Sequence, residues 1–345
     1  ESGSTDIFTV VLDAQPTSDV VLTITSDDTG EATVPASVTF TPVNWDTAQT
    51  ITVTGVDDDL VDGTITSTIT VAVDDSNSDD DFDALDDQII SVDTTDDDTP
   101  GFTIEETDGS TEVDESGSTD IFTVVLDAEP TSDVVLTITS DDTGEATVPA
   151  SVTFTAADWD TPQTVTVTGV DDGFVDGTIT SAITIAVDDA NSDDDFDTVA
   201  DQTVSVDTVD DDVAGFTVEE TDGSTEVDES GSTDIFTVVL DAQPTLDVVL
   251  TITSESTTEA SVNPSSITFT SENWDTPQTV TVTGVDENVV DGDQTTNITI
   301  AILDTASDDN FDALADQTVS VDTLDDDVAG FTIEETDGST EVDES

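Results

Sequence analysis

Hydrophobic and polar residues alternate along most of this chain. Residues 163–168 read Q-T-V-T-V-T, which puts Val165 and Val167 on one face and Thr164, Thr166 and Thr168 on the other. Residues 181–187, S-A-I-T-I-A-V, alternate in the same way, as do Phe122, Val124 and Leu126. A period of two carried by β-branched residues predicts half-buried antiparallel strands, and Thr-rich outer faces keep such strands soluble. No stretch shows a helical period. The pattern predicts about seven strands near residues 101–106, 119–127, 133–140, 151–155, 163–170, 179–187 and 202–207. Seven short strands joined by loops rich in Asp, Gly, Ser and Pro predict an all-β sandwich.

The pattern repeats. The string E-S-G-S-T-D-I-F-T-V-V-L-D-A starts at Glu1, Glu115 and Glu229, a period of 114 residues, and Glu344-Ser345 begins a further copy after 115. A repeat of that length is domain-sized and can bury its own core. Each predicted last strand ends in three aspartates, followed by two residues and then G-F-T-I-E-E or G-F-T-V-E-E. Boundaries placed there give 1–98 as a repeat lacking its first strand, and 99–212 and 213–327 as complete repeats. Residues 328–345 are then the first strand of a following repeat. Trp45, Trp159 and Trp274 follow the fourth strand of each copy and fit core anchors under a loop.

Charge changes the picture more than any other feature. The chain has 85 Asp and Glu and no Lys, Arg or His, a formal charge of −85. No side chain can offset another, and the folded state carries strong self-repulsion. Nucleic acid and anionic membrane surfaces are excluded as partners. Without His or Cys there is no imidazole or thiolate metal site, and no disulfide. Carboxylates, hydroxyls and carbonyls are hard oxygen ligands that suit Ca²⁺ or Mg²⁺. A hydrophobic fraction of 34% and the regular alternation argue against a disordered acidic polymer. With no initiator Met, no leader and no apolar run of spanning length, the sequence reads as a segment of something longer.

The acids cluster at predicted strand ends. Glu105, beside Glu106, closes the first strand, with Glu219 as its counterpart and Asp108 in the turn beyond. The loop after the fifth strand carries Asp57, Asp58 and Asp62 in the first copy, Asp171, Asp172 and Asp176 in the second, and Asp286 and Asp291 in the third. The seventh strand ends in Asp96, Asp97 and Asp98, in Asp210, Asp211 and Asp212, or in Asp325, Asp326 and Asp327. In a seven-stranded sandwich these three ends can meet at one pole and supply the six to eight oxygens that Ca²⁺ prefers. Without a cation their repulsion would raise pKa values. The junctions between repeats are the expected sites of strongest binding; at the boundary near 99, Asp96, Asp97, Asp98, Asp57, Asp58 and Asp62 stand on one side, with Glu105 or Asp108 contributing from the other. A further acidic loop at 74–83, 188–197 and 304–312 fits either a solvated loop that deters aggregation or a second, weaker cation site.

A strand ending in Glu, a Thr/Val strand running into an Asp-Asp loop and a terminal Asp triplet together resemble Calx-β domains. Residues 44–58, N-W-D-T-A-Q-T-I-T-V-T-G-V-D-D, and the close match from Asn273 to Asp286 resemble repeats of giant bacterial surface adhesins. The resemblance covers each whole unit. It implies tandem seven-stranded, antiparallel, immunoglobulin-like (Calx-β-like) sandwiches in an elongated array, Ca²⁺ at the domain poles and an extracellular extender role. Two departures stand out. Asp62, Asp176 and Asp291 stand where Calx-β loops commonly carry Glu, and the third copy reads Asp286-Glu287-Asn288.

No enzyme is expected. Asp28-Thr29-Gly30 and Asp142-Thr143-Gly144 match the aspartic-protease triplet, but they lie in separate copies and the third copy reads Ser256-Thr257-Thr258. No EF-hand spacing occurs, and Asn297-Ile298-Thr299 is a lone sequon inside a predicted strand. The expected function is a calcium-stiffened structural extender or fibre at a cell surface. Its partners would be calcium ions and either neighbouring repeats of the same chain or identical subunits head-to-tail. The alternative is a calcium-sensing or cation-sequestering matrix module. Near-identity of the first two copies favours the extender, because a sensor would specialise one copy.

Overall fold

The computed structural model describes residues 1–345 apart from 337, 339 and 343–345. The described residues form strands, loops and four short 3-10 turns, and they contain no α-helix. The alternation seen in the sequence is the alternation of burial: in the strand Gln163–Gly169 the two inward valines are buried between exposed threonines.

The first repeat contributes β1 (Thr5–Val10), β2 (Val20–Ser26), β3 (Ala32–Thr33), β4 (Ser37–Phe40), β5 (Gln49–Gly55), β6 (Ile65–Val73) and β7 (Gln88–Thr94). The second contributes β8 (Phe102–Glu106), β9 (Thr111–Asp114), β10 (Thr119–Leu126), β11 (Val134–Ser140), β12 (Ala146–Thr147), β13 (Ser151–Phe154), β14 (Gln163–Gly169), β15 (Phe174–Val175), β16 (Ile179–Val187) and β17 (Gln202–Val209). The third contributes β18 (Phe216–Glu220), β19 (Thr225–Asp228), β20 (Thr233–Leu240), β21 (Gln243–Pro244), β22 (Val248–Ser254), β23 (Ala260–Asn263), β24 (Ser266–Phe269), β25 (Gln278–Gly284), β26 (Gln294–Ile302) and β27 (Gln317–Leu324). Residues 328–335 have no assigned strand, and the end of the expected opening strand, 343–345, lies outside the described residues.

The chain divides into two compact units. One holds Glu1–Val113, Thr119–Thr168 and Ser181–Val206, and the other holds Asp114–Ser118, Gly169–Thr180 and Asp207–Ser345. The first unit contains the whole first repeat, with sheets β1-β5-β3 and β4-β2-β6-β7, and the body of the second, with sheet β12-β14-β10-β8. The second unit contains the second repeat's polar loops and the whole third repeat, with sheets β18-β20-β25-β23 and β19-β27-β26-β22-β24.

The third repeat shows how the poles arise. Its opening segment, predicted as one strand, splits in two. β18 runs antiparallel to β20; the chain then crosses to the other sheet, where β19 runs parallel to β27, Thr225 opposite Val321 and Asp228 opposite Leu324. Parallel pairing makes both strands end at the same pole, so Glu229 arrives beside the Asp325 triplet. β25 ends there too, because it is antiparallel to β20, which starts just after Glu229. Gly284 at the end of β25 is required for this approach: a Cβ would overlap the Asp228 carbonyl oxygen. Between the sheets, Phe236, Val238, Val280 and Val282 face Leu250, Ile252, Ile298 and Ile300, all buried, with Trp274 packed at the margin. Each such side chain contributes roughly 1.5–3 kcal/mol by burial.

Repeats are joined through the loop after the fifth long strand. In the first unit, Val61 is buried in the second repeat's core. Leu60 bridges in parallel to Glu129, whose carbonyl accepts from Val61 N–H at 2.9 Å and whose N–H donates to Asp59 O at 2.7 Å. In the second unit, Val175 is buried in the third repeat's core and β15 pairs in parallel with β21.

Candidate metal centre at the sandwich poles

The alternation T-E-V-D-E at 225–229 sends Thr225, Val227 and Glu229 inward, and all three are buried. Glu229 is fully buried, and neither carboxylate oxygen has a hydrogen-bond partner. Oxygens of Glu229, Asp291 and Asp325 lie within 4.8 Å of one another. In the second repeat's pole the same holds for Glu115, Asp210 and Asp212, and in the first for Glu1, Asp58 and Asp98. Glu115 is fully buried and Glu1 nearly so. Asp171, Asp211 and Asp212 form a second triad that shares Asp212. One pole therefore offers oxygens for more than one cation.

The first aspartate of each triplet acts differently from its neighbours. Asp96 Oδ2 accepts from Asp62 N–H at 3.1 Å and from Gly63 N–H at 2.9 Å, while its Oδ1 accepts from Asp98 N–H at 2.7 Å. Asp210 binds Asp176, Gly177 and Asp212 N–H in the same way, at 2.7–2.9 Å. Asp325 accepts from Gly292 and Asp327 N–H. These bonds tie the fifth-strand loop to the last strand. Buried oxygens of Asp62, Asp176, Asp212 and Asp327 have no partner.

Proton affinities follow from that shortage. Burial, then the charges of Asp58, Asp96 and Glu31, push the Glu1 carboxyl up to about 7. Burial and then Asp325, Glu287, Asp291 and Glu259 raise Glu229. Burial and then Asp210, Asp211, Asp171 and Asp172 raise Asp212. Asp62, Asp98, Asp176 and Asp327 are raised by burial first and neighbouring carboxylates second. Two like charges about 4.8 Å apart repel by roughly 3.5 kcal/mol at an effective dielectric near 20. A pole of this kind must take up protons or a cation. Its donor set is carboxylate oxygen throughout, the set that Ca²⁺ and Mg²⁺ take.

The structure brings the loop and triplet residues read from the sequence to these poles. Asp57, Asp58, Asp62, Asp96, Asp97 and Asp98 stand together, with Asp57 and Asp97 on the exposed rim. Asp171, Asp172, Asp176, Asp210, Asp211 and Asp212 do likewise, as do Asp286, Asp291, Asp325, Asp326 and Asp327. Glu105 and Glu219 lie exposed on β8 and β18, opposite Thr123 and Thr237, and Asp108 lies exposed in the turn after β8. The opening segment reaches the pole through Glu115, nine residues beyond Glu106. Sequence reasoning missed Glu1, Glu115 and Glu229, and with them the buried Glu31 and the raised, partly buried Glu287. The signal for the first three was present: period two carried through T-E-V-D-E points the last Glu inward.

No protein-family model matches the chain, and no curated protein matches it. Solved structures similar to it include the S-layer protein SbsC, domains 4 and 5, at 18% identity over 65% of this chain and 97% of that one, with a TM-score of 0.27. The surface layer protein SbsC, domains 4–9, is 19% identical over 92% of this chain and 40% of that one, with a TM-score of 0.26. The calcium binding domain CBD12 of CALX1.1 is 13% identical over 58% of this chain and 79% of that one, with a TM-score of 0.25.

Proposed function

We propose that this chain is a calcium-dependent structural extender, built from sandwich repeats with boundaries near 99 and 213 and working outside the cell. The observation that carries the reading is Glu229, a fully buried glutamate with both oxygens unpartnered, facing Asp291 and Asp325. A buried carboxylate without donors is strongly unfavourable unless it is neutralised. The residues that would hold the ion are Glu229, Asp291, Asp325 and Asp327 in the third pole, Glu115, Asp171, Asp176, Asp210, Asp211 and Asp212 in the second, and Glu1, Asp58, Asp62 and Asp98 in the first. Calcium supplies the positive charge that the chain's side chains lack.

The same loop carries pole and joint. Asp58 and Asp62 flank Leu60 and Val61, and Asp172 and Asp176 flank Phe174 and Val175. Asp58 Oδ1 accepts from Leu60 N–H at 3.0 Å and Asp172 Oδ1 from Phe174 N–H at 2.8 Å, which shapes the turn that delivers each valine to the next core. Neutralising the loop's charge thus steadies the segment that joins neighbouring repeats. Binding available only to the folded state adds to its stability, so folding follows the calcium concentration of the compartment. Calorimetric titration of chelator-treated protein with CaCl₂ tests the reading. It predicts saturable binding of several ions that Glu229→Gln reduces. Heats equal to buffer dilution would refute it.

A further inference from the structure

The two joints between repeats share their main-chain pairing but not their side chains. At the first joint, the arm formed by residues 57–62 reaches the second repeat. There Val61 N–H donates to Glu129 O at 2.9 Å, and Glu129 N–H donates to Asp59 O at 2.7 Å. At the second joint, the arm formed by residues 171–176 reaches the third repeat. There β15 pairs in parallel with β21, and Gln243 N–H donates to Gly173 O at 3.3 Å. Val61 and Val175 are buried at these contacts.

The repeat aligns the two joints residue by residue, and the alignment separates them by charge. Asp59 corresponds to Gly173, Glu129 to Gln243, and Asp195 to Asn310. Each exchange removes an acid from the second joint. The last one also adds a contact. Asn310, in the long loop just before Phe311, donates from Nδ2 to Val175 O at 2.7 Å. A carbonyl oxygen only accepts, so the amide nitrogen is the atom that must face it. Gln243 Nε2 donates within its own repeat, to Ser271 O at 3.1 Å, so Asn310 is the side chain of the two that reaches across. Asp195 stands in the same place, just before Phe196. An ionised carboxylate has no proton to donate, and it meets an arm that is itself acidic. Burial first, then Asp58, Asp96 and Asp195, raise the Asp62 carboxyl of that arm.

We infer that the residue before the loop phenylalanine, Asp195 or Asn310, sets how firmly a repeat holds the arm of the repeat before it. Asn latches the carbonyl of the buried valine. Asp leaves the joint to its main-chain bonds and valine burial, against like charge. The partner this loop fits is a short acidic arm with an apolar tip, from a neighbouring repeat. One joint is thus latched and the other is loose, although the strands around them are nearly the same in sequence.

The inference goes beyond the calcium reading and does not rest on it, since the latch is a bond between two groups of the chain. Hydrogen exchange of the full 345-residue chain in CaCl₂ tests it, each variant being compared with the wild type at the same amide. Asp195→Asn is expected to slow exchange of the Val61 and Glu129 N–H groups about fivefold, and Asn310→Asp to speed that of Gln243 N–H about fivefold. Amides in β16 and β26 serve as the internal reference and should not move. Asp194→Asn and Asp309→Asn remove or keep the same charges one residue away and should change neither joint. Joint amides that do not respond to the two exchanges would overturn the inference. So would an equal response to the neighbouring substitutions, or a response shared by β16 and β26, which would mark a global change in stability. Failure of calcium to bind would leave the expected exchange ratios as they are.

Discussion

Two kinds of carboxylate share each sandwich, and they sit in opposite environments. In the long loop before the last strand, Asp79 accepts from Thr17 N–H at 2.6 Å, Thr17 Oγ1 at 2.8 Å, Ser18 N–H at 2.9 Å and Asp81 N–H at 3.2 Å. Ser18 N–H and these other donors hold its pKa down to about 2. Asp193 and Asp308 are equally buried and equally held: against the cost of burial, Thr131 or Thr245 and backbone N–H groups lower their pKa. At the pole, Glu229 is as buried as Asp308 but has no donor, and its pKa moves up. Burial is common to both places; donors decide the sign. Asp79, Asp193 and Asp308 are the fasteners of that loop, whereas Asp83, Asp197 and Asp312 in the same loop are raised by burial and then by neighbouring carboxylates. Glu229 lacks such donors, and we propose that a cation completes its pole.

The largest effect that separates the two should come from Asp193→Ala. It strands the Thr131 hydroxyl and two N–H groups, and should cost about 3 kcal/mol in denaturant unfolding, equally with calcium or with chelator. A loss seen only in calcium would erase the distinction. Glu229→Gln should act the other way. It should weaken calcium binding by at least about tenfold, by removing one ligand charge, while raising the melting temperature of the chelated protein, since a buried unpaired charge disappears.

Stability should also respond to pH. A carboxyl whose folded pKa lies above its unfolded value stabilises the protein below the unfolded pKa, and that contribution is lost as pH rises through the folded pKa. For Glu1 the window runs from 4.5 to about 7. Chelated protein should therefore lose stability from pH 4.5 to 7. In saturating calcium the slope should reverse, because protons compete with the ion. The same slope in both conditions would show that the pole groups bind no cation. The smallest effect is expected at the exposed Glu105: Glu105→Gln should move the melting temperature by less than about 2 °C in either condition.

Much of this was legible in the sequence, for identifiable reasons. Period two predicted the strands because each has one buried face, and the 114-residue repeat predicted repeated sandwiches. The Asp-rich loop and triplet could be assigned to one end because strands five and seven are long and clearly bounded. The opening strand was read as one piece ending at Glu106, since no local signal announces that β8 and β9 belong to different sheets. That crossing depends on tertiary pairing with β27, and in the third repeat it carries the pole glutamate to position 229 rather than to Glu219 or Glu220. The long acidic loop could not be divided from sequence either. Asp193, Asp194 and Asp195 are identical letters, and only the donors folded around the first one make it a fastener.

Calcium is proposed to complete the poles. Thermal unfolding of the full chain in EGTA and in millimolar CaCl₂, at equal ionic strength so that general screening cancels, tests it most directly. A large rise in melting temperature with calcium, diminished by Glu229→Gln and preserved in Asp194→Asn, is the predicted result. Equal melting temperatures in the two buffers would contradict it.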